Sequence, residues 1–184
     1  MDGTHASGIL RFLAIAGRLK ETDRAGWKRQ GITAPESVAD HTFGVSLLAL
    51  VLSGNASPPL RRDRCVGMAL VHDLAESLVG DITPFDGVSA EEKDRREREA
   101  MTQLVALLQD AEILDLWEEY QAGATPESRL VRDLDKLETV LQAVRYESSR
   151  GANVDEFIAG GSRRNWLPLT GAIHQALMAE REKG

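Results

Sequence analysis

The segment VHDLAESLVGDITP, from Val71 to Pro84, organises the chain, because it places four side chains suited to metal or proton chemistry within ten positions of an apolar helical pattern. Residues three or four apart share one face of a helix, so His72, Asp73 and Glu76 are predicted to project toward a common region. The glycine that follows can end the helix in a left-handed conformation, which lets Asp81 turn back toward that region. Imidazole and oxygen donors suit a divalent transition metal, and a further carboxylate suits the handling of a water molecule.

Helical periodicity governs the rest of the chain, without a convincing alternating strand pattern. A first apolar helix is predicted from about Ile9 to Leu19. Ser37, with Asp40 three residues later, resembles a capping box, which places His41 in the first turn of another helix. A long helix begins after Thr125-Pro126 and carries Asp135 beside a leucine stripe.

The chain is therefore predicted to be all-α, with about six to eight helices. Its 184 residues fit one domain over residues 1–184, with a core at about 9–182. The formal charge of −7 argues against a nucleic-acid or anionic-membrane partner. No window approaches the roughly 20 apolar residues of a membrane span. A single cysteine, Cys65, and the lack of a signal-peptide pattern favour a reducing, cytoplasmic location.

Three predicted helices offer polar groups on or near a core-facing side: His41, then His72 and Asp73, then Asp135. Burying such groups is costly unless they are paired or coordinated. One divalent cation would satisfy all four and keep open positions for water and substrate. The donor set does not select the metal, and cobalt, manganese, iron, nickel, zinc and magnesium all remain candidates.

The order of these residues resembles the metal-binding signature of the HD-domain phosphohydrolase superfamily, and the similarity runs from about Leu10 to Arg181. Within that superfamily the chain resembles the 5′-deoxynucleotidase branch. Four segments carry it: GWKRQGITAPESVADH (Gly26–His41), HDLAESLVGDITP (His72–Pro84), EEKDRREREAM (Glu91–Met101) and LDKLETVLQA (Leu134–Ala143).

The resemblance implies four ligands of one divalent metal: His41, His72, Asp73 and Asp135. It also implies that Glu76 works on the attacking water and that Asp81 helps to position it. In some members Glu76, Asp81 and the carbonyl of Ile82 are assigned to a second metal instead. The implied activity is hydrolysis of (deoxy)nucleoside 5′-monophosphates by a metal-activated water. No serine or cysteine stands in a recognisable nucleophile setting.

The resemblance also suggests how the nucleotide is held. Trp27 matches an aromatic residue that packs against the sugar and helps to favour deoxyribose. Bacterial members carry arginine immediately before this tryptophan to hold the phosphate, whereas this chain has Gly26. The candidates for the missing charge are Arg24, Lys28 and Arg29. Thr83 either donates a hydrogen bond to the ligand or only structures its loop.

Two charged segments have simpler interpretations. In EEKDRRERE, which starts at Glu91, acidic and basic residues four apart predict a solvated helix face, with the alternative that Lys93 or an arginine of this run leans over the site as part of a lid. Asp133 is predicted to be a surface carboxylate of the long helix.

Two other functions stay open. One is an HD phosphohydrolase acting on a different phosphate ester, such as a modified nucleotide of a biosynthetic pathway. The other is a non-enzymatic helical module that holds metal for stability. A homodimer is suggested by the family alone, and the predicted partner is a small-molecule nucleotide.

Overall fold

The computed structural model describes residues 3–108 and 110–183, and every regular element within those ranges is helical, which confirms the all-α class. Eight of the described helices have nine or more residues, in agreement with the predicted six to eight, and two are shorter. In chain order they are α1 (Gly3–Ala16), α2 (Ala25–Arg29), α3 (Val38–Leu52), α4 (Arg62–Val71), α5 (Glu76–Val79), α6 (Ala90–Ala106), α7 (Glu112–Ala122), α8 (Pro126–Arg150), α9 (Asp155–Arg163) and α10 (Pro168–Arg181). None of these helices combines the length and apolar character needed to cross a membrane.

The chain divides into two compact units. The first comprises Met1–Thr42 and Leu70–Glu118, and the second comprises Phe43–Ala69 and Glu119–Gly184. In the first unit, α5 contacts α6 and a short 3-10 segment, Gly17–Lys20, that follows α1.

The first helix differs from its prediction. It begins at Gly3 rather than near Ile9, and it ends at Ala16, after which the chain tightens into the 3-10 segment. Its apolar residues do not form a core stripe, since Leu10 and Leu13 are 68% and 57% exposed. Helical spacing of apolar residues thus identified a helix correctly, although none of the residues from Gly3 to Ala16 is buried.

The second unit is built on α8, which contacts both α9 and α10. Its leucine stripe is buried as predicted, and Leu130, Leu134 and Leu137 are each at most 1% exposed. Thr125 caps this helix by accepting a hydrogen bond from the Ser128 backbone N–H, and Pro126 occupies the first turn.

Asp133 is a buried structural residue, so the prediction of a surface carboxylate was wrong. It is 4% exposed and accepts hydrogen bonds from Leu167 N at 2.8 Å, Thr170 Oγ1 at 2.6 Å and Arg164 Nε at 2.9 Å. Since Leu167 is the residue before α10, the carboxylate caps that helix and joins it to α8. Helical periodicity within α8 could not reveal partners that lie more than 30 positions away.

Replacing Asp133 with alanine should lower the free energy of unfolding by about 3 kcal/mol, because it removes charge-assisted bonds and leaves buried donors unsatisfied. Urea denaturation followed by circular dichroism measures the change. Glu180→Ala, at an exposed position of α10, is the matched control and should shift stability by less than about 0.5 kcal/mol. Equal effects of the two substitutions would contradict the capping role.

Candidate metal centre

The Val71–Pro84 segment is not one helix. α4 ends at Val71, and α5 begins only at Glu76. Between them the chain makes tighter turns, in which Leu74 N donates to Val71 O at 3.1 Å and Glu76 N donates to Asp73 O at 3.0 Å. The glycine at position 80 has φ 79° and ψ 170°, so it adopts a positive φ as predicted, but in an extended conformation instead of the left-handed helical one.

Despite this break, the structure brings His41, His72 and Asp73 together in the first unit. One ligand atom from each residue lies within 4.8 Å of the others. Asp73 Oδ2 is 3.1 Å from His72 Nε2 and 3.8 Å from His41 Nε2. Both histidines are at most 2% exposed. The grouping of these three side chains matches the sequence-based prediction, while their role as ligands stays a prediction.

His41 is held by the start of α3. Asp40 N donates to Ser37 Oγ at 3.1 Å, and Ser37 N donates to Asp40 Oδ2 at 2.9 Å, which is the reciprocal capping box predicted from sequence. The cap orients the first turn of α3 and therefore the histidine within it.

The donor set fits a divalent cation. Two imidazoles and a carboxylate converge, and their nitrogen and oxygen atoms match what first-row transition metals bind. Asp73 Oδ2 and Glu76 Oε2 are buried and accept no hydrogen bond of good geometry from the residues described. Buried carboxylate oxygens of this kind are costly unless a cation compensates them.

The two carboxyl groups respond differently to their surroundings. Burial raises the pKa of Asp73, but attraction to His72, His41 and Arg24 outweighs burial and leaves the pKa below its ordinary value. Burial also raises the pKa of Glu76, and repulsion from Asp73 and Asp81 raises it further. The site therefore pairs a strongly ionised carboxylate with one that holds its proton more tightly, a pattern typical of acid–base sites.

The residues implied for a second metal have partners within the first unit. Asp81 Oδ2 accepts a hydrogen bond from Ala25 N, at the start of α2, at 2.8 Å. The carbonyl of Ile82 accepts one from Lys93 Nζ at 2.8 Å. These contacts fix the loop after α5 against α2 and α6.

Among the predicted phosphate-binding residues, Arg24 has a described contact with the cluster. Its Nη1 lies 3.7 Å from Asp73 Oδ2, and its Nε lies 4.0 Å from Glu36 Oε1. A backbone bond from Arg24 N to Glu36 O, at 3.1 Å, holds this loop beside the segment that leads into α3. Glu36, which the sequence interpretation did not single out, is thus a neighbour of the site, and no local pattern marked it.

Trp27 is 1% exposed, and its Nε1 donates to Glu36 Oε1 at 2.8 Å. The contacts described for the other predicted binding residues lead to other groups. Lys28 Nζ lies 3.3 Å from Asp23, the Arg29 guanidinium stacks 3.8 Å over the ring of Phe85, and Thr83 Oγ1 donates to Asp86 at 2.7 Å.

Asp135 belongs to the second unit. It is 6% exposed, and its Oδ2 accepts a hydrogen bond from the Tyr120 hydroxyl at 2.9 Å, with Lys136 Nζ at 3.1 Å. Its buried position agrees with a core-facing side of α8. Its part in metal binding stays a prediction.

Comparison with known proteins identifies the class. A family model described as an HD domain matches residues 16–165, so this chain belongs to the HD domain family, as the motifs predicted. Among curated relatives, "5′-deoxynucleotidase HDDC2" of Danio rerio is 40% identical over 180 residues, which cover 95% of this chain and 88% of that protein. The corresponding human protein of the same name is 44% identical over 149 residues, covering 79% of this chain and 72% of its own.

A solved structure gives the same result for the fold. The PH0347 protein from Pyrococcus horikoshii OT3 has a TM-score of 0.75 at 34% identity, and the match covers 92% of this chain and 96% of that one.

Glu76 should make the metal-free protein less stable as pH rises. Its folded-state pKa is raised, so the folded protein binds this proton more tightly than the unfolded chain, and stability is lost as pH rises from about 4.5 through the raised pKa. In EDTA, Glu76→Gln should melt near the wild-type temperature at about pH 4 and above it at about pH 8. Thermal melts across this range measure the difference.

Glu99→Gln, at an exposed position of α6, is the control and should follow the wild type at both ends of the range. Melting curves for Glu76→Gln that stay parallel to wild type at every pH would rule out the proposed cost of ionisation.

Proposed function

We propose that this protein is a metal-dependent phosphomonoesterase that removes phosphate from nucleoside 5′-monophosphates, with the deoxy forms preferred. The observation that carries the proposal is the buried cluster of His41, His72 and Asp73 with the high-pKa carboxyl of Glu76 beside it. The names of the curated relatives supply the substrate class, since they are called 5′-deoxynucleotidases.

In this proposal His41, His72 and Asp73 hold the metal, and Asp135 is the fourth ligand that the family resemblance implies. When bound, the cation supplies Lewis-acid polarisation of a phosphate oxygen and acidifies a water. The mixed nitrogen and oxygen donors favour cobalt, manganese, iron, nickel or zinc over magnesium, which prefers oxygen ligands and retains water.

Glu76 is proposed to move the proton. Its Oε2 is buried and accepts no hydrogen bond from the described residues, so it is available to accept a proton from the attacking water. The same carboxyl group would then deliver that proton to the leaving 5′-oxygen. Asp81 is tethered through one oxygen to Ala25 N, which leaves its other oxygen to orient the water.

Arg24 is proposed to contact the phosphate, because its guanidinium lies beside Asp73. Trp27 is too buried to stack openly on a sugar, so we propose that it acts through Glu36, which it holds next to Arg24. Lys28, Arg29 and Thr83 would then shape the rim of the site.

Two alternatives are tested by the same assays. A different phosphate ester as substrate would be revealed by release from modified nucleotides, or by pyrophosphate instead of phosphate as product. A metal-holding structural module would show metal-dependent melting without turnover. The buried, hydrogen-bond-poor carboxylate oxygen of Glu76 favours the enzyme, because a closed structural site gains nothing from it.

The deciding assay is phosphate release from a panel of ribo- and deoxyribonucleoside 5′-monophosphates, using EDTA-stripped protein with single metals added back. Release from the deoxy forms that depends on metal is expected.

His72→Ala should lose bound metal and activity together, whereas Glu76→Gln should keep metal and lose roughly a hundredfold or more in kcat/KM. Glu99→Gln is the control for the second variant. Full activity in metal-loaded Glu76→Gln would remove the proposed proton transfer.

We also propose that the protein is a homodimer. α3 is apolar on its exposed side as well as its buried one, with Phe43, Leu47, Leu50 and Val51 between 45% and 64% exposed. These positions repeat at helical spacing and form one stripe, and a second copy of the chain would remove it from water.

Val51→Glu should therefore shift the mass measured by size-exclusion chromatography with light scattering from dimer toward monomer, because it places charge in the apolar stripe. Gln175→Glu, at an exposed position of α10, is the control and should leave the mass unchanged. A wild-type protein that is monomeric at micromolar concentration would exclude the dimer.

The remaining proposals concern location and domain organisation. Cys65 is a free, buried cysteine whose pKa is raised to about 12, chiefly by burial, so it is an unreactive thiol suited to the reducing cytoplasm.

The family match over residues 16–165 runs through both units, which supports treating the chain as one HD domain.

A further inference from the structure

One basic residue of α6 differs from its neighbours. The outer face of this helix carries exposed ion pairs, as predicted from its sequence, with Arg95 and Arg96 both bound to Glu92 at 2.7 Å. Lys93 instead points to the loop after α5, where its Nζ donates to the carbonyl of Ile82 at 2.8 Å. Glu97, one turn further along α6, lies 3.4 Å from the same nitrogen.

These contacts hold the Lys93 ammonium without enclosing it. Its side chain is 36% exposed, while that of Glu97 is only 11% exposed. An ammonium group has three donors, and the contacts described for Lys93 occupy two of them. The third is available to an acceptor from solution.

The Lys93 ammonium lies on the loop that carries part of the proposed site. The Ile82 carbonyl that Lys93 binds directly follows Asp81, whose Oδ2 accepts a hydrogen bond from Ala25 N, the residue after Arg24. The positive charges of Arg24 and Lys93 both lower the pKa of Glu76, against the effect of burial. Two cations from different segments, the loop before α2 and the first turns of α6, thus act on the same carboxyl group. A phosphate monoester that enters among these carboxylates needs such countercharge, because it carries nearly two negative charges near neutral pH.

We propose that Lys93 is a substrate-binding residue that donates a charge-assisted hydrogen bond to a non-bridging oxygen of the substrate phosphate. The inference rests on the proposed function and extends it to a residue outside the predicted binding set. The Ile82 carbonyl and Glu97 hold the ammonium in place before the substrate arrives, which reduces the entropy lost on binding. Lys93 and Arg24 together supply the positive charge that bacterial members place at the position of Gly26.

The test measures binding and not turnover. Protein stripped with EDTA and reloaded with manganese is titrated with inorganic phosphate by isothermal titration calorimetry, and metal per chain is measured on the same samples. Lys93→Met should weaken phosphate affinity by about tenfold with unchanged metal content. Lys93→Arg, which keeps the positive charge, should recover most of that affinity. Arg96→Met removes a cation from the outer face of the same helix and should bind phosphate like the wild type.

Each contrary result has a definite meaning. Phosphate affinity within twofold of wild type in Lys93→Met overturns the contact. Loss of manganese from that variant also overturns it, because Lys93 would then act on the metal site. If Lys93→Arg binds phosphate as weakly as Lys93→Met does, the phosphate contact is overturned, and the lysine serves only to fix the loop. If the wild type binds phosphate through Lys93 but releases none from any nucleotide, the anion site stands and the proposed activity falls.

Discussion

The concentration of negative charge in a buried region is the constraint on which the site depends. Burial and mutual repulsion raise the pKa of Glu76, while the imidazoles of His72 and His41 draw the pKa of Asp73 down. Carboxylates so placed are costly to bury without compensating charge. The neighbouring cations, Arg24 and Lys93, provide part of that compensation. A bound divalent ion would provide the rest of the positive charge. The same ion would supply the Lewis acid that the proposed reaction needs.

The same charges organise the irregular parts of the first unit. The loop after α5 is tied to α2 through Asp81 and to α6 through the carbonyl of Ile82. On the other side, Glu36 accepts from Trp27 and stands beside Arg24. One of these contacts, from Ala25 to Asp81, spans 56 positions, and the others join residues 9 to 12 positions apart. The local helices are short here, α5 having only four residues, so the order of the loop comes from these polar links and not from helical hydrogen bonding.

What the sequence could predict follows from the range of the interactions involved. The capping box at Ser37 and the all-α class depend on residues a few positions apart, and both were predicted correctly. The break at residues 72–75 was missed, because the apolar spacing of Val71–Val79 is the same for one helix as for two joined by turns. The buried role of Asp133 was also missed, because its partners lie more than 30 residues away.

The buried carboxyl of Glu76 also separates the catalytic interpretation from the structural one. If the cluster served stability alone, a neutral or apolar residue at position 76 would serve better, since replacing a poorly compensated buried charge by a well-packed neutral group is often stabilising. A glutamate there instead carries an electrostatic cost beside Asp73, with an oxygen that accepts no hydrogen bond from the described residues. A carboxyl group with a raised pKa is useful where a proton must be taken up and released. The carboxyl group that is expected to weaken the metal-free fold is thus the one that the proposed acid–base chemistry on a phosphate ester would use.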